Sequence, residues 1–354
     1  MQVIFNVDIM RFYTIILMFL LLPFTLNAQS DTLNRTDSRG RKQGYWKKYE
    51  KDKLQYEGQF IDDVPSGLFI YYHDNGNQKS RSRFIQGTYK VETVMYDLNG
   101  KKSAEGIYID QLKDGTWKYY APNSTLIKVE NYSKGIKNGL WQTFSPQSGV
   151  LLLEENYTGG KLNGEQKTYF TTGELNTRIP YIDGRRNGMS ESFFPGEILS
   201  TKGMYYQNHR TGNWDYYDET GKLRKSTEYE KDRPVKSYLY LYNGSHAQKI
   251  NQDLFAYVQK TGENKITLVT KNDKSQTFTE DYQSLLSWLD LVYFTPVSPS
   301  VTASYDILTG YEEVDDDTVK VKMRPSPSPE VLAKGDYAKI VKRIFNRELP
   351  VEEE

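Results

Sequence analysis

A glycine recurs through the middle of this chain at intervals of about 24 residues, and this period constrains the fold more than any other feature. The phasing glycines are Gly44, Gly67, Gly115, Gly139, Gly164, Gly188 and Gly212. One gap of 48 residues contains a degenerate copy, in which Val91 takes the glycine's place. Self-similarity at a period of about 20 to 50 residues indicates a repeat architecture. Residues 40–236 are therefore predicted to hold eight repeats, numbered here 1 to 8.

Two aromatic columns accompany the phasing position in all eight repeats. The +5 column, five residues after it, holds Tyr49, Tyr72, Tyr96, Tyr120, Phe144, Tyr169, Phe193 and Tyr217. The −7 column, seven residues before the next phasing position, holds Phe60, Phe84, Tyr108, Tyr132, Tyr157, Tyr181, Tyr205 and Tyr229. Aromatic residues make up 14% of the chain, so an unbroken series of sixteen fixes the register.

A third column lies two residues after the phasing position and supplies the candidate binding residues. This +2 column holds Trp46, Phe69, Trp117, Trp141 and Trp214, with Thr93, Gln166 and Ser190 in the other repeats. Stacked from repeat to repeat, such rings would bury the contact surface that solenoids require. Alternatively, some of the five aromatic residues line an exposed groove, which suits peptides, partner strands or sugar rings.

Two turn signals divide each repeat. Asn-Gly pairs at 138–139, 163–164 and 187–188 lie between repeats, and others at 75–76 and 99–100 lie within them. Asn-Gly tolerates the positive φ that tight hairpin turns need. Each repeat therefore reads as strand, turn, strand, turn. The predicted fold is mainly β: an elongated single-sheet array of about eight β-hairpins, followed by a small α+β C-terminal domain or cap.

The +2 and +5 columns differ in parity, so in a straight strand their side chains point to opposite faces of the sheet. Either both faces carry aromatic residues, or a β-bulge lies between the two columns. The sequence leaves both possibilities open.

The repeat resembles the MORN repeat, a hairpin unit of 23–24 residues that begins with glycine and carries aromatic residues along its strands. Residues 113–120 and 137–144 resemble its bacterial variant, and Tyr56-Glu57-Gly58-Gln59-Phe60 keeps the form common in eukaryotic units. The resemblance covers residues 40 to about 232. It implies a β-hairpin array. Bacterial arrays of this kind are often described as antitoxin components, which implies a toxin protein as one possible partner.

The N-terminus predicts export. Arg11 precedes an apolar run over residues 12–24, and Ala28 supplies a small residue before Gln29. This arrangement is typical of a secretory signal peptide, here residues 1–28, followed by a linker over 29–39. The alternative is an uncleaved anchor, although the run is shorter than the roughly 20 residues of a spanning helix. The expected location is the periplasm, the cell surface or the medium.

Composition excludes several classes of function. Lys plus Arg and Asp plus Glu both number 46, and this neutral balance argues against nucleic-acid partners and against peripheral lipid contact. No cysteine is present, which excludes disulfides and thiolate metal sites. Three histidines, His73, His209 and His246, are predicted to be surface residues, and the acidic run at 312–317 a solvated loop. No catalytic motif, metal site or cofactor is predicted, so an enzyme is not expected.

The repeat pattern fades after residue 236, where residues 237–243 look like a half-formed ninth copy that caps the array. Residues 237–354 are read as an α+β domain or cap. They predict a hairpin from segments 265–270 and 275–279, a strand over 319–323, and amphipathic helices over 281–294 and 330–346.

Three functions remain in view. The first is an exported repeat scaffold that mediates protein–protein binding at the cell envelope. The second is a glycan- or peptidoglycan-binding module that uses the +2 column. The third is an enzyme with its site in the C-terminal region. The first is preferred, with a protein partner expected and a glycan as the alternative.

Overall fold

The computed structural model describes residues 33–290, 292–325 and 330–346. The predicted signal peptide lies outside these residues, as do positions 29–32 of the predicted linker. The chain divides into two compact units, the first ending at Gln111 and the second beginning at Leu112. Among the described residues, no helix is both long and apolar enough to span a bilayer.

The first unit is an antiparallel meander, in which each strand pairs with the next along the chain. Its strands are β1 (Arg35–Thr36), β2 (Lys42–Glu50), β3 (Lys53–Ile61), β4 (Val64–Tyr72), β5 (Gln78–Phe84), β6 (Lys90–Tyr96) and β7 (Lys102–Ile109). The short β1 falls within the predicted linker, where its carbonyl at Arg35 accepts a hydrogen bond from Trp46 Nε1 at 3.1 Å.

The second unit opens with a meander of the same kind. Its strands are β8 (Leu112–Tyr120), β9 (Leu126–Ser133), β10 (Ile136–Lys137), β11 (Gly139–Phe144), β12 (Leu151–Thr158), β13 (Lys161–Leu162), β14 (Gly164–Tyr169), β15 (Leu175–Ile182), β16 (Arg185–Arg186), β17 (Gly188–Phe194), β18 (Ile198–Tyr206), β19 (His209–Tyr217), β20 (Leu223–Glu230), β21 (Arg233–Asn243) and β22 (His246–Asn251). The meander thus continues past residue 236, as the half-formed ninth copy indicated.

The rest of the second unit is α+β. A five-stranded sheet has the order β25-β24-β23-β27-β26, and a three-stranded sheet has the order β28-β29-β30. These elements are β23 (Phe255–Gly262), β24 (Lys265–Thr270), β25 (Ser275–Phe278), α1 (Tyr282–Leu286), β26 (Phe294–Ser298), β27 (Val301–Ser304), β28 (Leu308–Asp315), β29 (Thr318–Met323), β30 (Leu332–Lys334) and α2 (Asp336–Asn346). Two apolar clusters form its core, and one of them includes Leu239 and Leu241 from β21.

The predicted mainly β meander and its small α+β end are confirmed. The predicted hairpin is β24–β25, and the predicted strand is β29. Both helix predictions were too long. The first helix ends at Leu286, because the N–H groups of Trp288 and Leu289 bond three residues back and the chain continues in turns. The second begins at Asp336, after β30 and after Gly335, whose φ of +58° lies in the left-handed region.

The sequence left open whether a β-bulge separates the +2 and +5 columns or both faces of the sheet carry aromatic residues. The structure shows both features. All eight hairpins shift register just before the +5 residue, with the extra residue on the returning strand, as at Gln55 between Leu54 and Tyr56. Nevertheless, +5 side chains such as Tyr72 lie on the face of the sheet that is opposite to the +2 column. Tyr72 donates to Glu57, which also pairs with Lys47 at 3.1 Å, and Lys47 points away from its neighbour Trp46.

Candidate binding site on the aromatic face

One face of the repeat sheet carries the +2 and −7 columns, and their rings alternate in contact. We call it the aromatic face. Centroid distances lie between 4.9 and 5.3 Å for Phe60–Phe69, Phe69–Phe84, Tyr132–Trp141, Trp141–Tyr157 and Tyr205–Trp214. Most of these pairs are edge-to-face, the geometry that aromatic quadrupoles favour. No single hairpin could bury these rings, so each repeat depends on its neighbours.

The structure places the candidate residues of the +2 column inside this face rather than in an open groove. Phe69, Trp117, Trp141 and Trp214 are only 0–6% exposed, and Trp46 is half-buried at the beginning of the array. Rings of the −7 column lie on both sides of Phe69, Trp141 and Trp214, so these three do not face an open groove. Their burial favours the core role, and a direct contribution to binding stays a prediction.

In two of the three repeats whose +2 column lacks an aromatic residue, a polar pair takes its place. The hydroxyls of Ser82 and Thr93 lie 3.1 Å apart and both residues are buried. Gln166 Nε2 donates to Glu155 Oε1 at 2.9 Å. The polar groups of Thr93 and Gln166 are therefore satisfied within the sheet, Thr93 by Ser82 directly across the strand pair.

Glycines opposite the +2 rings explain part of the sequence pattern. A Cβ at Gly203 would lie 2.1 Å from the Trp214 ring, and one at Gly58 would lie 2.5 Å from the Phe69 ring. The ring therefore lies directly on the neighbouring backbone, which only glycine permits at this distance. This contact accounts for the glycine of the Tyr-Glu-Gly segment at 56–58.

Replacing Gly203 by alanine is expected to destabilise the second unit by about 1 to 3 kcal/mol, the usual cost of overpacking. Chemical denaturation followed by circular dichroism measures the loss. The same substitution in a Trp214→Thr background should cost much less, because the smaller side chain leaves room for the new methyl group. Equal costs in both backgrounds would contradict the direct ring-on-backbone contact.

A fourth column, basic in five of the eight repeats, places cations over the rings. The capping column lies two residues before the phasing position and holds Lys42, Pro65, Tyr89, Lys113, Lys137, Leu162, Arg186 and Arg210. Its residue lies across the strand pair from the −7 ring, as at Tyr132–Lys137 and Tyr205–Arg210. Cation-to-centroid distances are 4.8 Å for Lys113 over Trp117, 4.0 Å for Lys137 over Trp141 and 4.0 Å for Arg210 over Tyr229. Each is a cation–π contact.

A buried carboxylate, Glu130, joins Lys113 of the capping column to a second lysine, Lys128. Its oxygens lie 3.0 Å from Lys128 Nζ and 3.8 Å from Lys113 Nζ, and Tyr132 Oη donates to it at 2.8 Å. Burial alone would raise the pKa of Glu130, but hydrogen bonds from Tyr119, Tyr132 and Lys128 outweigh burial and lower it.

Because the folded pKa of Glu130 is depressed, its contribution to stability is present above the unfolded pKa of about 4.3 and is lost as pH falls through the folded value. Glu130→Gln is therefore expected to destabilise the protein by about 1 to 3 kcal/mol near neutral pH. The difference from the parent should shrink below about pH 4. Denaturation of both proteins across pH measures this, and a pH-independent difference would contradict the assignment.

The largest concavity among the described residues of the first unit lies on the aromatic face at repeat 3. The phasing glycines have φ between +63° and +118°, and they sit where strand pairing is interrupted by a bulge. Val91 replaces the glycine in repeat 3, and β5 and β6 pair there without any register shift, with Phe84 opposite Val91. A β-branched residue does not readily adopt positive φ, so the bulge is lost and residues 85–89 form a longer loop.

The resulting cavity, which we call the repeat-3 groove, has a volume of about 1040 Å³. Its floor consists of Phe84, Val91, Thr93, Met95 and Tyr108. Its rim includes loop 85–89 and the two-residue turns at Asp62 and Asp110. Tyr89, the capping-column residue of this repeat, lies in the loop and is 77% exposed.

The sequence analysis did not predict this groove because it considered the positions that hold aromatic residues and not the repeat in which the pattern is lost. Repeat 3 lacks the glycine at Val91, the aromatic residue at Thr93 and the basic residue at Tyr89. These three lapses fall together in one copy, and that coincidence was the available signal.

The predicted surface histidines and acidic run do not form a further site. His209 Nδ1 lies 2.8 Å from Asp232, and His73 Nε2 lies 3.1 Å from the Tyr96 carbonyl oxygen. Among the described residues, no group of three or more His, Cys, Asp or Glu side chains is placed to hold a metal ion.

Comparison with known families identifies the repeat. Residues 113–134 and 162–183 match the family model of the MORN repeat variant. At these two places the chain carries MORN repeats. Each matched segment runs from the last two residues of one repeat through most of the next, repeat 4 in the first case and repeat 6 in the second, and both follow the strand–turn–strand pattern of the other repeats.

No curated protein matches the chain. Among solved structures, one similar chain is the LytTr DNA-binding domain of a methyl-accepting/DNA response regulator from Bacillus cereus. It has 15% identity and a TM-score of 0.26, covering 31% of this chain and 98% of that one. Another is a GtfA/B complex bound to UDP and GlcNAc, with 16% identity and a TM-score of 0.17, covering 46% of this chain and 32% of that one. At such low TM-scores neither similarity bears on fold or function.

Proposed function

We propose that this protein is an exported MORN-repeat scaffold that binds a protein partner at the cell envelope through the repeat-3 groove. The observation that supports this role is the groove itself, an apolar concavity on the aromatic face of the first unit. Ligand sites are typically concave and largely apolar, with a few polar groups at the rim. A volume of about 1040 Å³ would admit several side chains of a partner segment.

A protein partner suits this groove better than a sugar. The alternative of sugar binding relies on exposed tryptophan faces, yet Trp117, Trp141 and Trp214 are at most 6% exposed. The carboxylates along the aromatic face are engaged in structural contacts, as Glu130 is with two lysines and Glu155 is with Gln166. These contacts favour a binding role over catalysis by those groups.

Site-specific crosslinking tests the proposal. The chain contains no cysteine, so a single introduced thiol can carry a benzophenone label. Gln86→Cys places the label on the groove's loop, and Asp74→Cys places it on an exposed mid-repeat turn of the same unit. After illumination with envelope extract, one polypeptide should be crosslinked from position 86 and not from position 74. Equal labelling from both positions would contradict the proposal, and labelling of peptidoglycan fragments instead would favour the glycan alternative.

Export is tested separately. Expression of the full chain should yield a mature protein that begins at Gln29 and fractionates outside the cytoplasm. Fractionation with N-terminal sequencing measures both properties. An intact N-terminus in the cytoplasmic fraction would contradict export, and one in the membrane fraction would indicate an uncleaved anchor.

A further inference from the structure

The face of the first unit opposite the aromatic face, which we call the outer face, carries two arginines on one strand. Arg81 and Arg83 lie on β5 on either side of Ser82, which is buried on the aromatic face against Thr93. Because side chains alternate along a strand, both arginines point to the outer face, with their Cα atoms roughly 7 Å apart. Both are exposed. The outer face therefore presents two cations at a fixed spacing.

In other repeats, a basic residue at the position of Arg81 has a carboxylate of the sheet beside it. Three repeats carry a basic residue three positions before the −7 ring, namely Arg81, Arg178 and Lys202. Arg178 Nη2 lies 3.4 Å from Glu191, which is directly opposite on the adjacent strand, and Lys202 Nζ lies 3.7 Å from the same carboxylate. The sheet thus supplies its own acceptor to two of these three cations.

Arg81 lies between two apolar residues instead. It is opposite Ile70 on β4 and Val94 on β6. Val94 takes the position that Glu191 has beside Arg178. Among the described residues, the guanidinium group of Arg81 has no ion-pair or hydrogen-bond partner. The sequence of repeat 3 therefore withholds the carboxylate that would neutralise this arginine.

The carboxylates near the two arginines are each paired with a lysine. Glu92 is opposite Arg83 across the strand pair, yet it lies 2.9 Å from Lys90. Glu105 lies 3.2 Å from Lys102. Within the part of the chain that the structure describes, the guanidinium group of Arg83 also has no ion-pair or hydrogen-bond partner. A net positive charge therefore remains at the two arginines.

Both arginines line a cavity of about 340 Å³, which we call the outer-face cavity. Leu68, Val94 and Ile107 supply its apolar lining. Leu68 lies opposite Arg83 and is 39% exposed. An ion pair beside an apolar wall is screened less by water than one on an open polar surface. The cavity therefore favours the binding of an anionic group that also has apolar neighbours.

We infer that the outer-face cavity binds an acidic, extended segment of a partner protein, with two carboxylates separated by one residue. Alternate side chains of an extended segment lie on one side at the same spacing, roughly 7 Å, as Arg81 and Arg83. Each guanidinium group can hold one carboxylate through two parallel hydrogen bonds. This rests on the proposed protein-binding role but not on the repeat-3 groove, which lies on the aromatic face.

Short peptides test the inference without knowledge of the partner. The probes are acetylated, amidated Ser-Glu-Ser-Glu-Ser, its counterpart with glutamine for glutamate, and Ser-Glu-Glu-Ser-Ser, which keeps the charge and changes the spacing. Inorganic phosphate is the small-anion probe. The readout is the methyl NMR signal of Leu68 in methyl-labelled protein, since Leu68 lines the cavity. The Glu-Ser-Glu peptide should shift this signal saturably, about tenfold more tightly than the glutamine peptide and about threefold more tightly than the adjacent-glutamate peptide or phosphate.

Variants identify the groups that bind. Arg81→Gln and Arg83→Gln should each weaken binding of the Glu-Ser-Glu peptide by about threefold or more. Val94→Glu gives Arg81 an internal carboxylate, as Glu191 does for Arg178, so it should weaken the peptide at least as much although both arginines are retained. Val94→Gln is the matched control without the charge, and it should bind the peptide as the parent does. Circular dichroism checks that each variant remains folded.

The outcomes separate this inference from the proposed function. Equal binding of the glutamate and glutamine peptides, equal binding by the two Val94 variants, or no Leu68 shift with any peptide would overturn the acidic occupant. Phosphate that binds as tightly as the Glu-Ser-Glu peptide would also overturn it and would indicate a site for small anions. If a polypeptide is still crosslinked from position 86 in any of these cases, the proposed function stands. If the peptide binds as expected but no polypeptide is crosslinked from position 86, binding through the repeat-3 groove fails although the outer-face cavity's preference holds.

Discussion

Replacing Trp117 by alanine is expected to lower the free energy of unfolding of the second unit by about 3 to 5 kcal/mol. The indole is 0% exposed, with Lys113 4.8 Å above its ring and Tyr119 6.3 Å away between centroids. Truncation removes these contacts and leaves a cavity that the paired strands β8 and β9 cannot collapse to fill. Because repeats are stabilised by their neighbours, the loss should extend beyond one hairpin.

Denaturant titration followed by far-UV circular dichroism measures this effect, and hydrogen exchange locates it. Protection should fall first in β8, β9 and β11. Tyr89→Ala is the matched control, since Tyr89 is an aromatic residue that is 77% exposed, and it should change stability by less than about 0.5 kcal/mol. Similar losses from both substitutions would contradict a structural role for the +2 column.

Replacing Arg224 by alanine is the second large expected effect, about 3 to 5 kcal/mol. Arg224 is the extra residue of the bulge in repeat 8, and its Nη2 lies 2.9 Å from Glu280 Oε2, with both side chains 8% exposed. The backbone N–H of Tyr242 also donates to Glu280 at 3.3 Å. Removing the guanidinium would leave a buried carboxylate without its charged partner, which costs far more than the loss of a surface ion pair.

This pair ties the last repeat to the α+β region of the same unit, so its loss should uncouple their unfolding. Calorimetry should resolve two transitions in Arg224→Ala where the parent shows fewer. Arg224→Met combined with Glu280→Leu should recover much of the stability, since an apolar pair of similar volume often replaces a buried ion pair without loss. Arg233→Ala is the control, because its pair with Glu230 is exposed. If Arg224→Ala lowers stability no more than Arg233→Ala does, the buried pair does not tie the α+β region to the last repeat.

Much of the repeat fold could be predicted because tight turns and ring contacts each require particular residue types at fixed positions in the sequence. Residues such as Asn138-Gly139 mark the turns, and aromatic residues mark each ring contact that a neighbour must bury. The bulge before the +5 column could not be predicted, because the extra residue is Gln55 in repeat 1 and Arg224 in repeat 8, with no shared chemistry. A β-bulge has no sequence signature when any side chain can occupy its extra position.

The α+β region shows a different limit. Tyr282, Leu285 and Leu289 follow a helical spacing and are all buried, at 2%, 1% and 5% exposure. A short helix followed by turns is enough to bury all three, so the burial pattern was read correctly and the helix length was not. For the groove, the sequence held the signal in Val91, Thr93 and Tyr89, but only the strand register shows that their changes act on one cavity.

The most direct test of this account compares the Gln86→Cys crosslink in two backgrounds. One is the parent chain, and the other is a closed-groove variant that carries Ser82→Gly, Tyr89→Lys, Val91→Gly and Thr93→Trp and so restores the pattern of the other repeats. The account predicts that a polypeptide crosslinked in the parent disappears when the groove is filled, while circular dichroism shows that the repeat sheet is retained. Undiminished crosslinking of the same polypeptide in the folded closed-groove variant would contradict a role for the repeat-3 groove in binding.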